Sequence, residues 1–322
     1  MPPLVDRFAE PQHIQTMIEL LGKAELVWLE HLWLAPYAEF CPAATKILDV
    51  HNVESTFYRQ MRKTSRWPLD RLGYYIFERA ARKIEQRFLP YFDRVLAVSE
   101  EDRRVLSQYC PAEKIRVIPN AVELNSILVS TKTEPHSLYF AGRLDYPPNR
   151  DAILWFYREV WPLVRSRIPD LHCYVVGGGR EGVASQLGDN HFQLLGEVEK
   201  TETYLRPSAM AIVPVRTGGG TRFKILEAWA AGKAVISTTK GAEGLAARHG
   251  ENIWLADTAS GFAEGILRLL SDGALRSRLG ERGWKTVEEC YSLERLQESL
   301  TAALPDHIVL HRKAREAEPG CV

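Results

Sequence analysis

The sequence predicts an α/β protein with two parallel sheets, each covered by helices. Short runs rich in β-branched residues alternate with longer amphipathic stretches, and they do so in both halves. At 322 residues the chain is also long enough for two domains of roughly 150 residues each. In the first half, strands are expected near Leu26–Leu29, Lys46–Val50, Arg94–Val98 and Arg116–Ile118. A long helical region, Val53 to Tyr91, separates the second from the third and is broken at Pro68, where a backbone donor is lost. In the second half, six strands are expected: Ser137–Ala141, His172–Val176, Phe192–Leu195, Met210–Val213, Ala234–Ser237 and Ile253–Leu255. Helices fit at Arg150–Arg167, Thr221–Ala231, Gly261–Ser271 and from Ala274 to Leu304, with Asn149 as an N-cap and Gly232 as a stop.

These elements divide the chain into a first domain over 1–125, a linker over 126–135 and a second domain over 136–290. A C-terminal helix over 291–306 is expected to cross back, ahead of a mobile tail over 307–322.

Composition narrows the function. Apolar residues at 45% and charged residues at 25% suit a folded protein and not a disordered one. Forty-one basic residues balance 41 acidic ones, which argues against a general nucleic-acid binder. The cysteines Cys41, Cys110, Cys173, Cys290 and Cys321 form an odd, scattered set without a C-x-x-C pair, so a disulfide framework or zinc site is not expected. The most apolar run, Ala24 to Ala35, is interrupted by Glu25, Glu30 and His31, and no basic-then-apolar leader opens the chain. A cytoplasmic protein is expected.

The segment from Pro214 to Ala228 (PVRTGGGTRFKILEA) carries the most chemistry. A strand ends, Gly218-Gly219-Gly220 follow, and a helix begins near Thr221. Glycines let a backbone approach a ligand closely, and the helix start presents unpaired N–H groups. Arg222 and Lys224 fall in that first turn, where the helix dipole disfavours cations, so a diphosphate among them would account for the pattern. A flexible turn with a Lys224–Glu227 surface pair is the alternative. The loop Gly142 to Asn149 also leaves a strand end, where open α/β sheets bind ligands; there Arg143 is either a ligand contact or a solvated loop residue. Gly177 to Gly182 matches the dinucleotide fingerprint G-x-G-x-x-G, but too few residues follow for its helix. A turn at the rim of the site is therefore expected there rather than an oxidoreductase.

Taken in order, "HNVES", "FDRVLAVSEED", "IRVIPNAVE", "LYFAGRLDYPPNRDAILWF", "PVRTGGGTRFKILEAWAAGKAVIST" and "GAEGL" resemble a family 4 glycosyltransferase over residues 47–291. "PNRDAILWF" and "GGGTRFKILEA" are similar to a bacterial subgroup of exopolysaccharide and lipopolysaccharide assembly. The resemblance implies a GT-B fold of two facing Rossmann-like domains and a retaining, metal-independent transfer from a nucleotide-sugar donor to a glycan or lipid-linked acceptor. It implies no cofactor and no nucleic acid. Carried over by position, Glu227 would hold the donor ribose, and Arg143 and Lys224 would face the diphosphate. The backbone at Val198 would meet the base, and His51 would lie near the transferred sugar. Gly142, Gly219, Gly220, Thr221 and Arg222 complete the implied donor site. Gly219 stands where the family usually has a sugar-contacting glutamate, and the usual lysine shortly after Arg143 is absent, a charge that Lys224 or Arg222 would supply. The first domain is expected to be incomplete relative to the family pattern. A non-catalytic nucleotide-sugar binder or assembly subunit is the alternative that this raises.

The stretch Phe57 to Arg94 holds ten basic residues against four acids, net +6, with aromatics interleaved. It reads either as an ordinary helix with a solvated basic face or as a peripheral contact with an anionic membrane.

Overall fold

The computed structural model describes residues 11–41, 44–65, 67–124, 133–219 and 223–304. The chain forms two compact units. One is built on the residues up to Pro119, includes Gly219 and takes in the chain again from Glu294; the other is built on Asn120–Gly218 and Arg222–Leu293.

In the first unit, α1 (Pro11–Leu21) leads into β1 (Leu26–Glu30), a 3-10 turn (Leu32–Phe40) and β2 (Thr45–Val50). The helices α2 (Glu54–Thr64) and α3 (Pro68–Phe88) follow, parted before Pro68 as its missing donor requires. Then come β3 (Arg94–Ala97), α4 (Glu100–Leu106) and β4 (Ile115–Val117). The four strands pair in sequence order, all parallel. One face of the sheet packs Leu48, Val50 and Val95 on Trp33, Phe88, Phe92 and Leu106.

In the second unit, β5 (Glu134–Ala141) is followed by α5 (Pro147–Trp155), a π-turn (Phe156–Val160) and α6 (Trp161–Arg165). The widened turn comes immediately ahead of Pro162, whose ring and missing N–H do not fit a regular helix interior. After β6 (His172–Val176) come a single-turn α7 (Glu181–Ala184), β7 (Phe192–Gly196), a second single turn α8 (Glu202–Leu205) and β8 (Ser208–Val213). The chain continues through α9 (Phe223–Ala230), β9 (Ala234–Ser237), β10 (Trp254–Leu255), α10 (Ala259–Ser271) and α11 (Gly273–Cys290). Helix α12 (Leu293–Ala303) carries Ala303 into the core of the first unit, against Ile47 and Leu96.

The second sheet has the parallel order β10-β9-β8-β5-β6-β7. Leu138, Phe140, Val175 and Ile212 face Phe156, Trp161 and Phe262, while Tyr139, Ala211 and Val213 face Leu226, Trp229 and Val287. Both faces are covered, so the central strands read as continuous apolar runs instead of alternating ones. No described helix is long and apolar enough to cross a membrane.

Candidate active site

In the second sheet the chain runs from β5 outward to β6 and β7, then returns to place β8 on the other flank of β5. That reversal opens a crevice at the carboxyl ends of β5 and β8, where ligands of open α/β sheets bind. The loops at those two ends are Gly142–Asn149 and the glycine-rich stretch beginning at Pro214.

The first loop is drawn in tightly. Gly142 has φ +154°, and an added Cβ would lie 2.6 Å from Asn149 Nδ2 and 3.0 Å from Lys224 Nζ. Lys224, in the first turn of α9, reaches back to this loop, donating to Asn149 Oδ1 at 2.6 Å with its ammonium 4.4 Å from the centre of the Phe140 ring. Asn149 in turn donates from Nδ2 to the Arg143 carbonyl at 2.9 Å. The dipole penalty for a cation in a first helical turn, about 0.3–1 kcal/mol, is thus offset by a hydrogen bond and an aromatic face. Asn149 was expected to cap the following helix; it does not. The helix starts at Pro147, whose fixed φ suits that position, and Asn149 lies inside the first turn with its side chain buried between Arg143 and Lys224.

Arg143 points outward and is held by two carboxylates. Its guanidinium bonds both oxygens of Asp145, at 3.1 and 2.6 Å, and Glu197 Oε1 at 3.1 Å. A phosphate arriving here competes with both acids. Glu227 lies one turn after Lys224 and is half-buried. Burial pushes its carboxyl above the ordinary range, Glu202 adds to the shift, and Lys224 opposes it. Glu202 also lines a cavity of about 580 Å³ with Glu199, Lys200, Thr203 and Arg206, immediately after Val198 in the chain. Val198 itself packs against the Tyr139–Leu226 core.

The structure therefore brings Gly142, Arg143 and Lys224 together, and couples Lys224 to Glu227. Gly219 is half-buried at the end of its loop. Gly220, Thr221 and Arg222 lie outside the described residues.

Three neighbouring loops latch together here. Gly142 N donates to Val176 O at 2.8 Å, Leu144 N to Gly178 O at 2.7 Å, and Gly177 N to Gly196 O at 2.8 Å. Gly177 has φ +136°, and a Cβ on it would stand 2.3 Å from the Gly142 carbonyl oxygen. The G-x-G-x-x-G match is thus a tightly packed turn, followed by a four-residue helix too short to offer a dinucleotide its usual helix terminus.

His51 follows β2 at the carboxyl edge of the first sheet. Its Nε2 is buried without a hydrogen-bond partner. The ring of His31, at the end of the adjacent β1, lies 4.4 Å from it, centre to centre. Among the described residues, His31 is the one non-glycine with positive φ, at +72° with ψ 141°. That conformation costs a side-chain-bearing residue about 1–3 kcal/mol.

Sequence reasoning missed the bridging role of Asn149, the two acids on Arg143, and His31. It also missed the Asp151–Arg216 pair, bonded at 2.7 and 3.1 Å with the guanidinium over Trp155, which fastens the β8 loop to α5. Only Asn149 had a legible signal, a polar residue near a helix start, and that signal suggested a different role.

Two family profiles match the chain. The one described as Glycosyltransferase Family 4 covers residues 17–126, and the one described as Glycosyl transferases group 1 covers residues 135–272. The chain belongs to glycosyltransferase family 4. An "Uncharacterized 44.6 kDa protein in cps region" of Klebsiella pneumoniae is 23% identical over 271 residues, covering 80% of this chain and 68% of that protein. The "Lipopolysaccharide core biosynthesis glycosyltransferase LpsE" of Rhizobium meliloti is 30% identical over 142 residues, 42% of each chain, so the match spans less than half of LpsE. Among solved structures, Anabaena Alr3699/HepE in complex with UDP and glucose superposes with a TM-score of 0.68 at 14% identity, over 92% of this chain and 82% of that one. The two parallel-sheet units of this family 4 chain have the GT-B fold.

Proposed function

We propose that this family 4 chain is a retaining, metal-independent glycosyltransferase, which moves a sugar from a nucleoside-diphosphate donor to a glycan or lipid-linked acceptor. The observation that carries the reading is the placing of Lys224 across the switch-point crevice, onto the loop that presents Arg143. Cations fixed there would stabilise charge developing on the departing diphosphate, and pre-placed charge of this kind is the largest common catalytic contribution. The leaving phosphate can accept the acceptor's proton, so the reaction needs no protein nucleophile. Glu227 is assigned to the donor's ribose hydroxyls, the backbone at Val198 to its base, and His51 to the transferred sugar. UDP bound to a solved structure of the same fold supports the choice of ligand class.

A thermal-shift panel of UDP, GDP and their sugars tests this. A nucleotide at 100 times its dissociation constant adds about 2.7 kcal/mol, or about 5–10 °C for a domain of this size. Glu227→Gln is expected to abolish the shift. The same variant should raise the melting temperature of the ligand-free protein at pH 8. The buried carboxyl of Glu227 has a raised pKa, so it favours the fold when protonated and costs stability as pH rises past the ordinary carboxylate range. Near pH 4 the two proteins should melt alike. A full nucleotide shift in Glu227→Gln would remove that residue from the site, and no shift with any nucleotide in the wild type would sink the donor assignment.

We also infer a peripheral contact with an anionic membrane through the region 57–94. Trp67, Leu69, Leu72 and Ile76, around the start of α3, are 73%, 82%, 57% and 58% exposed beside the exposed cations Lys63, Arg71 and Arg79. The charge available is smaller than the net +6 of the sequence, because Arg59, Arg62 and Arg82 all converge on the buried Glu78 and Arg87 pairs with Glu39. Lys63→Glu combined with Arg71→Glu and Arg79→Glu should strongly reduce sedimentation with phosphatidylglycerol vesicles while leaving the melting temperature unchanged. Undiminished sedimentation would overturn the membrane contact.

A further inference from the structure

The two histidines at the carboxyl edge of the first sheet ask for an explanation that packing does not supply. The chain must turn sharply out of β1 so that Leu32, Trp33 and Ala35 of the following 3-10 turn reach the core. Glycine would make that turn without strain, yet the position holds His31 at φ +72°. His31 N donates to Asp49 O at 3.0 Å, which locks the turn to β2, and Leu34 N donates back to His31 O at 3.1 Å. Backbone strain kept in a side-chain-bearing residue is a feature of functional sites. What the strain secures here is the position of the imidazole, 4.4 Å from the His51 ring and tilted 31° to it.

We propose that His31 is a positioning residue for His51, its strained backbone setting an imidazole against the His51 ring to fix that ring for transfer. The inference rests on the reading of His51 as the group beside the transferred sugar. Two imidazolium ions at this separation repel, so a charge on one ring disfavours a charge on the other. Burial lowers the His31 pKa, and a charged His51 lowers it further. The acids facing the pair are Glu30 at the end of β1 and Asp49 on β2, both of which favour the charged form of His31. Asp49 is itself pushed above the ordinary carboxylate range by burial, which limits the negative charge it offers. Along the chain the next ionisable group is Glu54 at the start of α2, pushed up to about 7 by burial and by Glu85.

The test combines imidazole NMR titrations with donor-hydrolysis or transfer kinetics on the full chain. In His51→Ala, the His31 midpoint should move upward, because the neighbouring charge that lowers it is gone. His31→Gly accepts this backbone conformation without strain and His31→Asn bears the same strain as the wild type, so both should fold, and both lack the imidazole. Each is expected to lower kcat about tenfold or more while the donor KM and the nucleotide-induced melting shift stay as in the wild type. An unmoved His31 titration in His51→Ala overturns the pairing. Unchanged kcat in both His31 variants overturns the positioning role. If His51→Ala itself transfers sugar normally, the assignment of His51 falls, while the titration still decides whether the two rings are coupled.

Discussion

Replacing Lys224 with alanine is expected to lower kcat for sugar transfer by about 100- to 1,000-fold, the usual effect of removing one fixed group that stabilises developing charge. Two consequences of the change can be separated. The ammonium would no longer face the diphosphate, and Asn149, which accepts from Lys224 at 2.6 Å and donates to the Arg143 carbonyl, would lose one of its anchors. Asn149→Ala removes the bridge and keeps the cation. If charge at the diphosphate is the larger effect, Asn149→Ala should cost much less than Lys224→Ala, and Lys224→Arg should recover part of the rate. Equal losses in Asn149→Ala and Lys224→Ala would assign Lys224 to holding the loop instead. Arg143→Ala is expected to fall between them, since Asp145 and Glu197 already occupy its guanidinium. Steady-state rates with saturating donor would rank the four variants.

The second large effect is structural. Gly177→Ala places a Cβ 2.3 Å from the Gly142 carbonyl oxygen and 3.0 Å from Arg143 N, at φ +136°. Neither neighbour is a side chain that can swing aside. Backbone strain of about 1–2 kcal/mol and overpacking of about 1–3 kcal/mol act together, for a total near 3 kcal/mol. The melting temperature should drop by about 6–12 °C on the scale for a domain of this size. Nucleotide binding should weaken as well, because the atoms pushed aside belong to the Arg143 loop. Gly188→Ala is the matched control, with nothing within 4 Å of the added carbon and no unusual φ, so its change should stay within about 0.5 kcal/mol. Comparable melting of the two variants would show that the loop yields more easily than its geometry implies.

The strands were legible because buried parallel strands are short, apolar and bounded by turn residues. All four expected in the first half and all six in the second occur, with ends differing by at most three residues, and His172–Val176 and Ala234–Ser237 coincide at both ends. The widest difference is at β5, which begins at Glu134 where Ser137 was expected, since a polar start pairs with the β8 edge as readily as an apolar one. Helix ends were less legible. Pro147 and Asn149 both signal a helix start, and the sequence does not say that tertiary contacts with Lys224 draw Asn149 inward. The glycine-rich loops could be read as close approaches because no other residue suits them. His31 could not, since a residue type carries no mark of the backbone angle it is forced to adopt. The partners of Arg143 were equally hidden, as Glu197 lies 54 positions away and meets it only through the sheet order.

The latching of the β5, β6 and β7 loops bears on how this protein could acquire a different donor. Three segments far apart in the chain are tied by backbone hydrogen bonds from Gly142 to Val176, Leu144 to Gly178 and Gly177 to Gly196. A change of shape in any one must be matched in the other two. If the donor binds at this crevice as proposed, the heritable unit of donor choice is the trio, and a graft that moves a single loop between relatives would carry new contacts without the scaffold that aims them.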